Sequence, residues 1–446
     1  MDNLKTKLLA GTFWNSLSQV GNMVINFGLT FILARLLAPA DFGLLGMIMV
    51  IAGFLGYFSE FGMMAGIVRK PEVDDSYTNT AFWSGISFSV FIYFLLFLIS
   101  PWIAWFYKEP QLIPLNRALS LMFILGAYSF VPIALEMKAL RYRSISLINL
   151  TALFISGLSA VLMAYLGFGV WSLVYQQIIQ RLVISINCLL FLSWKPKLQF
   201  SWTSFADLYG YGFHMTGNNL IKFFSENIDH MLVGKLLGKD ALGVYTMAFR
   251  LSRFPVEKLW NVFGTMLFPA FASLQDDLEK LRRNYMKISL YGGILLLPFI
   301  IGIVFFIRPL IYWTIGEQWI KTAALIQLFS IYIAFYCFSF GDEPLLMLKD
   351  IHRLNIVKIG YALLITGVGY MGIHRFGWGL IGMAWIFSLC LCLMYVHLKS
   401  IVWKRMGLNF SMHKEWLRKD EIKSFFSLST FFPGRAGGSK DAIEGV

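Results

Sequence analysis

Six cations, Arg181, Lys222, Arg250, Arg253, Lys258 and Lys358, fall inside long apolar stretches rather than between them. A cation at the centre of a bilayer costs about 2.5–3.5 kcal/mol on an insertion scale, so each needs a partner, an aqueous cavity or a route to the surface. Lys258 and Lys358 lie toward the ends of their stretches, where a lysine reaches water by extending its stem. Arg181, Lys222 and Arg253 lie near the middle of theirs, counting about 1.5 Å per helical residue, with Arg250 about a turn outward.

Helical spacing gathers polar residues around these cations. Asn218, Lys222, Ser225 with Glu226, and Asp229 recur at steps of three and four, as do Thr246, Arg250, Arg253 and Glu257. Near the amino terminus Asn15, Gln19, Asn22 and Asn26 form a neutral stripe of the same spacing. Two readings stay open. The stripes are glue between helices, with Lys222 paired to Glu226 along one helix, or they are the wall of a cavity. The midplane cations and Arg250 outweigh Glu226, Asp229 and Glu257 slightly, which favours an anion-binding cavity; the three acids then serve charge balance or ion coupling. His230 reads as a hydrogen-bonded structural histidine, and Glu60 as an interfacial residue.

The chemistry stops at binding. There is no GxxxxGK[ST] phosphate loop, no HExxH and no GxSxG, so the sequence presents no catalytic residue, no ATP site, and no call for a metal or cofactor. Cys188, Cys337, Cys390 and Cys392 all sit in apolar runs and read as small packing residues.

The elements that must carry these residues are membrane helices. With 57% hydrophobic and only 14% charged residues among 446, most of the chain belongs in lipid. Apolar stretches predict twelve spans, at 10–34, 41–64, 81–106, 112–135, 146–165, 169–192, 212–236, 241–270, 288–312, 321–341, 354–373 and 377–402. The first run is too long for a signal-peptide core and reads as an uncleaved helix. From 403 to 446 the chain is a polar tail, partly disordered. With the amino terminus in the cytoplasm, 24 loop and tail cations fall on that side and eight opposite, so both termini are cytoplasmic. The net charge of +13 is therefore a topology signal rather than a nucleic-acid footprint. Asp74 and Asp75 fall on the cytoplasmic side, the wrong side for a glycosyltransferase that uses lipid-linked sugars outside.

The chain also echoes itself. ILARLLAPADFGLLG (32–46) aligns without gaps on LVGKLLGKDALGVYT (232–246), and FGVWSLV (168–174) on WGLIGMA (378–384). The offsets of 200 and 210 residues indicate a duplicated six-helix unit, 1–195 and 196–402, with both copies in one orientation. Under the 200-residue offset Gln19, Asn22 and Asn26 superpose on Asn219, Lys222 and Glu226.

Four segments in order, GTFWNSLSQVGNMVINFGLTFILARLLAPADFGLLG (11–46), FSEFG (58–62), LGFGVWSLV (166–174) and LFPAFASLQDDLEKLRRNY (267–285), resemble the Wzx-type polysaccharide-transporter branch of the multidrug/oligosaccharidyl-lipid/polysaccharide (MOP) exporter superfamily. The resemblance covers roughly 5–405. It implies an all-α polytopic protein of about twelve transmembrane helices, in two parallel six-helix lobes around a central cavity that alternates between its two openings. The implied activity is flipping of undecaprenyl-diphosphate-linked oligosaccharide repeat units, without ATP, across the bacterial inner membrane. Membrane lipid and the lipid-linked oligosaccharide are the implied partners, with polysaccharide polymerase or assembly proteins beside them and no nucleic acid. Arg181, Lys222, Arg250 and Arg253 suit a pyrophosphate, and Asn15, Gln19, Asn22, Asn26, Gln177, Asn218 and Asn219 suit sugar hydroxyls. These assignments rest on spacing, not on a family motif. The competing readings are an ion-coupled multidrug or cation antiporter of the same superfamily, whose cavity would want unopposed acids, a membrane-embedded glycosyltransferase or polymerase, and a non-transporting scaffold.

Overall fold

The computed structural model describes residues 2–274 and 277–408; the tail beyond 408 lies outside the described residues. The chain forms α1 (Asp2–Leu36), α2 (Pro39–Glu60), α3 (Met63–Arg69), α4 (Asp75–Tyr107), α5 (Leu112–Ala127), α6 (Phe130–Lys138), α7 (Tyr142–Tyr165), α8 (Val170–Phe191), α9 (Trp202–Ser273), α10 (Leu278–Thr314), α11 (Ile320–Phe338), α12 (Asp342–Lys349), α13 (Ile351–Phe376) and α14 (Leu380–Met406). No strand occurs among the described residues.

Local chemistry sets the helix ends. Pro39 opens α2, where the Asp41 carboxylate accepts from the Ala38 amide at 3.0 Å. Asp74 caps α4 through the Tyr77 amide at 3.0 Å, and its neighbour Asp75 pairs with Lys197, so both acids have structural roles. The expected seventh and eighth spans are not separated by a loop. They are the two arms of α9, 202–237 and 239–273, joined at Gly238, whose φ of 85° breaks the helix. The expected fourth span is the pair α5 and α6, bent by 45°. The expected tenth span ends early, at Phe338, and the short α12 follows it.

Among the described residues nine helices are long and apolar enough to cross a bilayer, and the bent pair makes ten. The arms of α9 hold the two remaining places in the expected order but are too polar to pass on composition. Phe91, Leu98, Trp105, Phe154, Leu190, Phe305, Leu363 and Leu393 are largely exposed on the outside of the assembly. In water such a belt would drive aggregation, whereas in a bilayer it is the face that hydrocarbon wets. The chain is thus a multi-pass membrane protein. All four cysteines are buried and free, as packing residues should be.

Helix α2 packs along both arms of α9, and small residues let the backbones touch. A Cβ at Gly43 would sit 1.8 Å from the Lys239 carbonyl oxygen, and a Cβ at Gly243 would sit 1.8 Å from the Pro39 carbonyl oxygen. Positions 39 and 239, like 43 and 243, are equivalent under the 200-residue offset. The contact therefore maps onto itself, as contact across a twofold axis must. Around it, Lys239 pairs with Glu109 at 3.0 Å, the Lys235 ammonium donates to the Phe106 carbonyl, and Trp319 Nε1 donates to the Ala34 carbonyl at 2.7 Å. At the other end of α2, Phe61 stacks on Tyr209 with ring centroids 4.8 Å apart, and the Tyr77 hydroxyl donates to Asp207 at 3.1 Å.

Candidate functional site

The two arms of α9 bring together residues that are far apart in sequence. Arg253 on the second arm donates to Glu226 on the first at 3.3 Å, and its guanidinium lies 4.9 Å from the Phe249 ring centroid. The ion pair expected along one helix, between Lys222 and Glu226, is thus replaced for Glu226 by a pair between arms. Lys222 is exposed one turn away.

The cluster extends onto helices that spacing arguments did not reach. Lys358 of α13, expected to extend to the membrane surface, instead pairs with Glu343 of α12 at 3.1 Å, with their side chains 11% and 22% exposed. Glu343 also lies in electrostatic reach of Lys222 and Arg253. The buried Tyr395 of α14 lies in reach of Arg253, Glu343 and Glu226. Four elements, α9, α12, α13 and α14, therefore converge on one group of charges.

Arg250 lies deep among the surrounding helices yet keeps an exposed side chain, and Arg181 of α8 does the same. Both are thus crowded by protein and still reached by solvent. Arg181 stands apart from the α9 cluster. Its electrostatic partner is Glu60 at the end of α2, and Gly126 leaves room for the arginine stem. Tyr57 of α2 spans the interval, in electrostatic reach of both Glu60 and Glu226, its ring 5.8 Å from that of Phe223.

The neutral stripe of α1 is partly occupied by its own helix. Asn22 Nδ2 donates to Ser18 Oγ at 3.3 Å and Asn26 Nδ2 to the Asn22 carbonyl at 2.8 Å. Gln19, Gln177 and Asn219 are half-buried. The side chains of Asn15, Asn218, Glu257 and Lys258 lie outside the described residues.

Asp229 does not face an open space. It is fully buried, accepts from the Tyr245 hydroxyl at 2.8 Å and lies 3.1 Å from His230 Nδ1, so both Asp229 and His230 are held in a packed aromatic core. No group of three or more candidate metal ligands occurs among the described residues.

A family model described as a polysaccharide biosynthesis protein matches residues 32–324. The chain is 28% identical over 337 residues to the lipopolysaccharide biosynthesis protein WzxC of Escherichia coli strain K12, an alignment that covers 74% of this chain and 67% of that one. Among solved structures it is similar to the inward-facing form of a multidrug resistance MATE family transporter of the MOP superfamily, at a TM-score of 0.67 and 15% identity, over 90% of this chain and 99% of that one. It is also similar to the inward closed form of the lipid II flippase MurJ, at a TM-score of 0.66 and 13% identity, over 88% of this chain and 87% of that one. The fold is that of the MOP exporters.

Proposed function

Because the chain belongs to the polysaccharide biosynthesis protein family, we propose that it flips an undecaprenyl-diphosphate-linked oligosaccharide from the cytoplasmic to the outer leaflet by alternating access, as part of O-antigen, capsule or exopolysaccharide assembly. The observation that carries this reading is the convergence of Lys222, Arg253 and Lys358, with Arg250 beside them, on the interior of a membrane-spanning helical assembly. Among the described side chains these four cations outnumber the two carboxylates beside them, Glu226 and Glu343. A diphosphate head group supplies the missing negative charge and several acceptor oxygens. An antiporter of cations would need the opposite balance.

In this reading Arg181, across Tyr57, meets the head group from the N-terminal helices, and Gln19, Gln177 and Asn219 meet sugar hydroxyls. We place the boundary between the two lobes at 195/196 and both termini in the cytoplasm of a bacterial inner membrane. Carrying two negative charges outward is favoured by an inside-negative potential, by about 2.3 kcal/mol per charge per 100 mV, which drives the step without ATP. The test is transport of a fluorescent undecaprenyl-diphosphate-linked sugar by purified protein in proteoliposomes. Wild type should translocate it, and Lys222→Gln with Arg253→Gln should lower the rate at least about tenfold. Normal transport by a correctly folded double variant would remove the binding role of this cluster.

A further inference from the structure

We propose that Glu343 is a resident anion of the site: it neutralises Lys358, and with it Lys222 and Arg253, while the site is empty, yields these cations to the substrate diphosphate, and reclaims them at release. The inference rests on the flippase reading and assigns a role to a residue that never touches the sugar.

Its position follows from α12. This helix has eight residues and begins after Gly341, whose φ of 100° turns the chain out of α11. Asp342 and Glu343 are its first two residues, so their side chains leave the helix about 100° apart. Asp342 is 1% exposed, accepts from the Tyr285 hydroxyl of α10 and lies in electrostatic reach of Lys399 of α14. It is the anchor of α12. Glu343 points the other way, toward Lys358 of α13 and Lys222 and Arg253 of α9.

The energetics favour exchange. Lys358 is 11% exposed, and an ammonium at that burial is strongly penalised without a partner. Glu226 is already engaged with Arg253, which leaves Glu343 as the carboxylate that pairs Lys358 in the empty site. A diphosphate presents the same acceptor chemistry with more oxygens and more charge, and so replaces a single carboxylate on the same donors. A carrier must also let go. Bare cations would retain a diphosphate, whereas a tethered carboxylate competes for them at every moment and lowers the barrier to release. Among the described residues, the charged and titratable groups in electrostatic reach of Glu343 are Lys222 and Arg253 of α9, Lys358 of α13, Tyr395 of α14 and the neighbouring Asp342 of α12.

The experiment compares the full-length protein with Glu343→Gln, Glu343→Asp and Lys358→Gln. Binding of undecaprenyl diphosphate is measured in nanodiscs, with undecaprenol as the uncharged control, and transport of the fluorescent lipid-linked sugar in proteoliposomes. Glu343→Gln should bind the diphosphate roughly tenfold more tightly and turn over more slowly, lowering KM and kcat together. Glu343→Asp should restore wild-type behaviour, and Lys358→Gln should bind about tenfold more weakly. A folded Glu343→Gln protein whose binding is unchanged or weaker overturns the resident-anion role, as does undiminished binding by Lys358→Gln, and either result leaves the flippase reading standing if wild type binds and transports. Should wild type bind diphosphate no better than undecaprenol, the flippase reading and this inference fail together.

Discussion

Replacing Gly243 by Ala tests whether the reciprocal glycine contact closes one end of the transporter, the outer end in the orientation proposed above. The new methyl would stand 1.8 Å from the Pro39 carbonyl oxygen, against about 3.3 Å for a close carbon to oxygen contact, so α2 and α9 must part by roughly 1.5 Å. Both partners are backbone, and no rotamer change relieves the clash. Overpacking costs about 1–3 kcal/mol, and a rigid contact belongs at the upper end. At about 1.4 kcal/mol per tenfold, the conformation described here loses roughly a hundredfold in population relative to one in which the two helices have separated. Leu37, only 4% exposed, lies beside this contact between α1 and α2. Its replacement by Cys gives a reporter for a membrane-impermeant maleimide applied from outside, because the four native cysteines are buried. Labelling should be slow in Leu37→Cys alone and much faster with Gly243→Ala added, while transport falls. If the double variant folds, labels as slowly as the parent and transports normally, the glycine contact is not a closure that the cycle must form.

Two further substitutions probe parts of the same assembly. Trp319→Phe removes the indole donor to the Ala34 carbonyl but keeps most of the edge-on packing against Phe42, whose ring lies 5.3 Å away; it should weaken this contact between the helices by about 1 kcal/mol and speed maleimide labelling of Leu37→Cys several-fold. Tyr245→Phe takes a hydrogen bond from the fully buried Asp229, which should lower thermal stability by about 1–3 kcal/mol in a melting assay while leaving diphosphate affinity unchanged, since Asp229 has no access to the cavity.

The membrane architecture was legible because an apolar run of about twenty residues has few alternatives to a spanning helix. The echo of 32–46 in 232–246 was legible in the sequence, and the structure brings its two segments into contact at Gly43 and Gly243. Other features left no periodic trace. Hydropathy cannot distinguish a loop from a single glycine break, so the continuity of α9 through Gly238 was hidden. Helix α12 escaped because it is short and begins with two acids. Arg253 and Glu226 lie 27 positions apart, and Glu343 and Lys358 lie on different helices. Steps of three and four find neighbours along one helix and say nothing of partners across two. That limit is why the cations were found and their partners were not.

The break at Gly238 bears on how the protein is made. Neither arm of α9 is apolar enough to be recognised as a span on its own, and each carries charges that hydrocarbon rejects singly. With no loop between them, the arms fold back as one hairpin in which Glu226 and Arg253 neutralise each other. They are suited to leave the translocon together, as a pair in which one buried charge of each arm offsets the other. The Arg253–Glu226 pair then bears on insertion as well as on binding, and a variant that loses one partner should be judged first by whether it reaches the membrane.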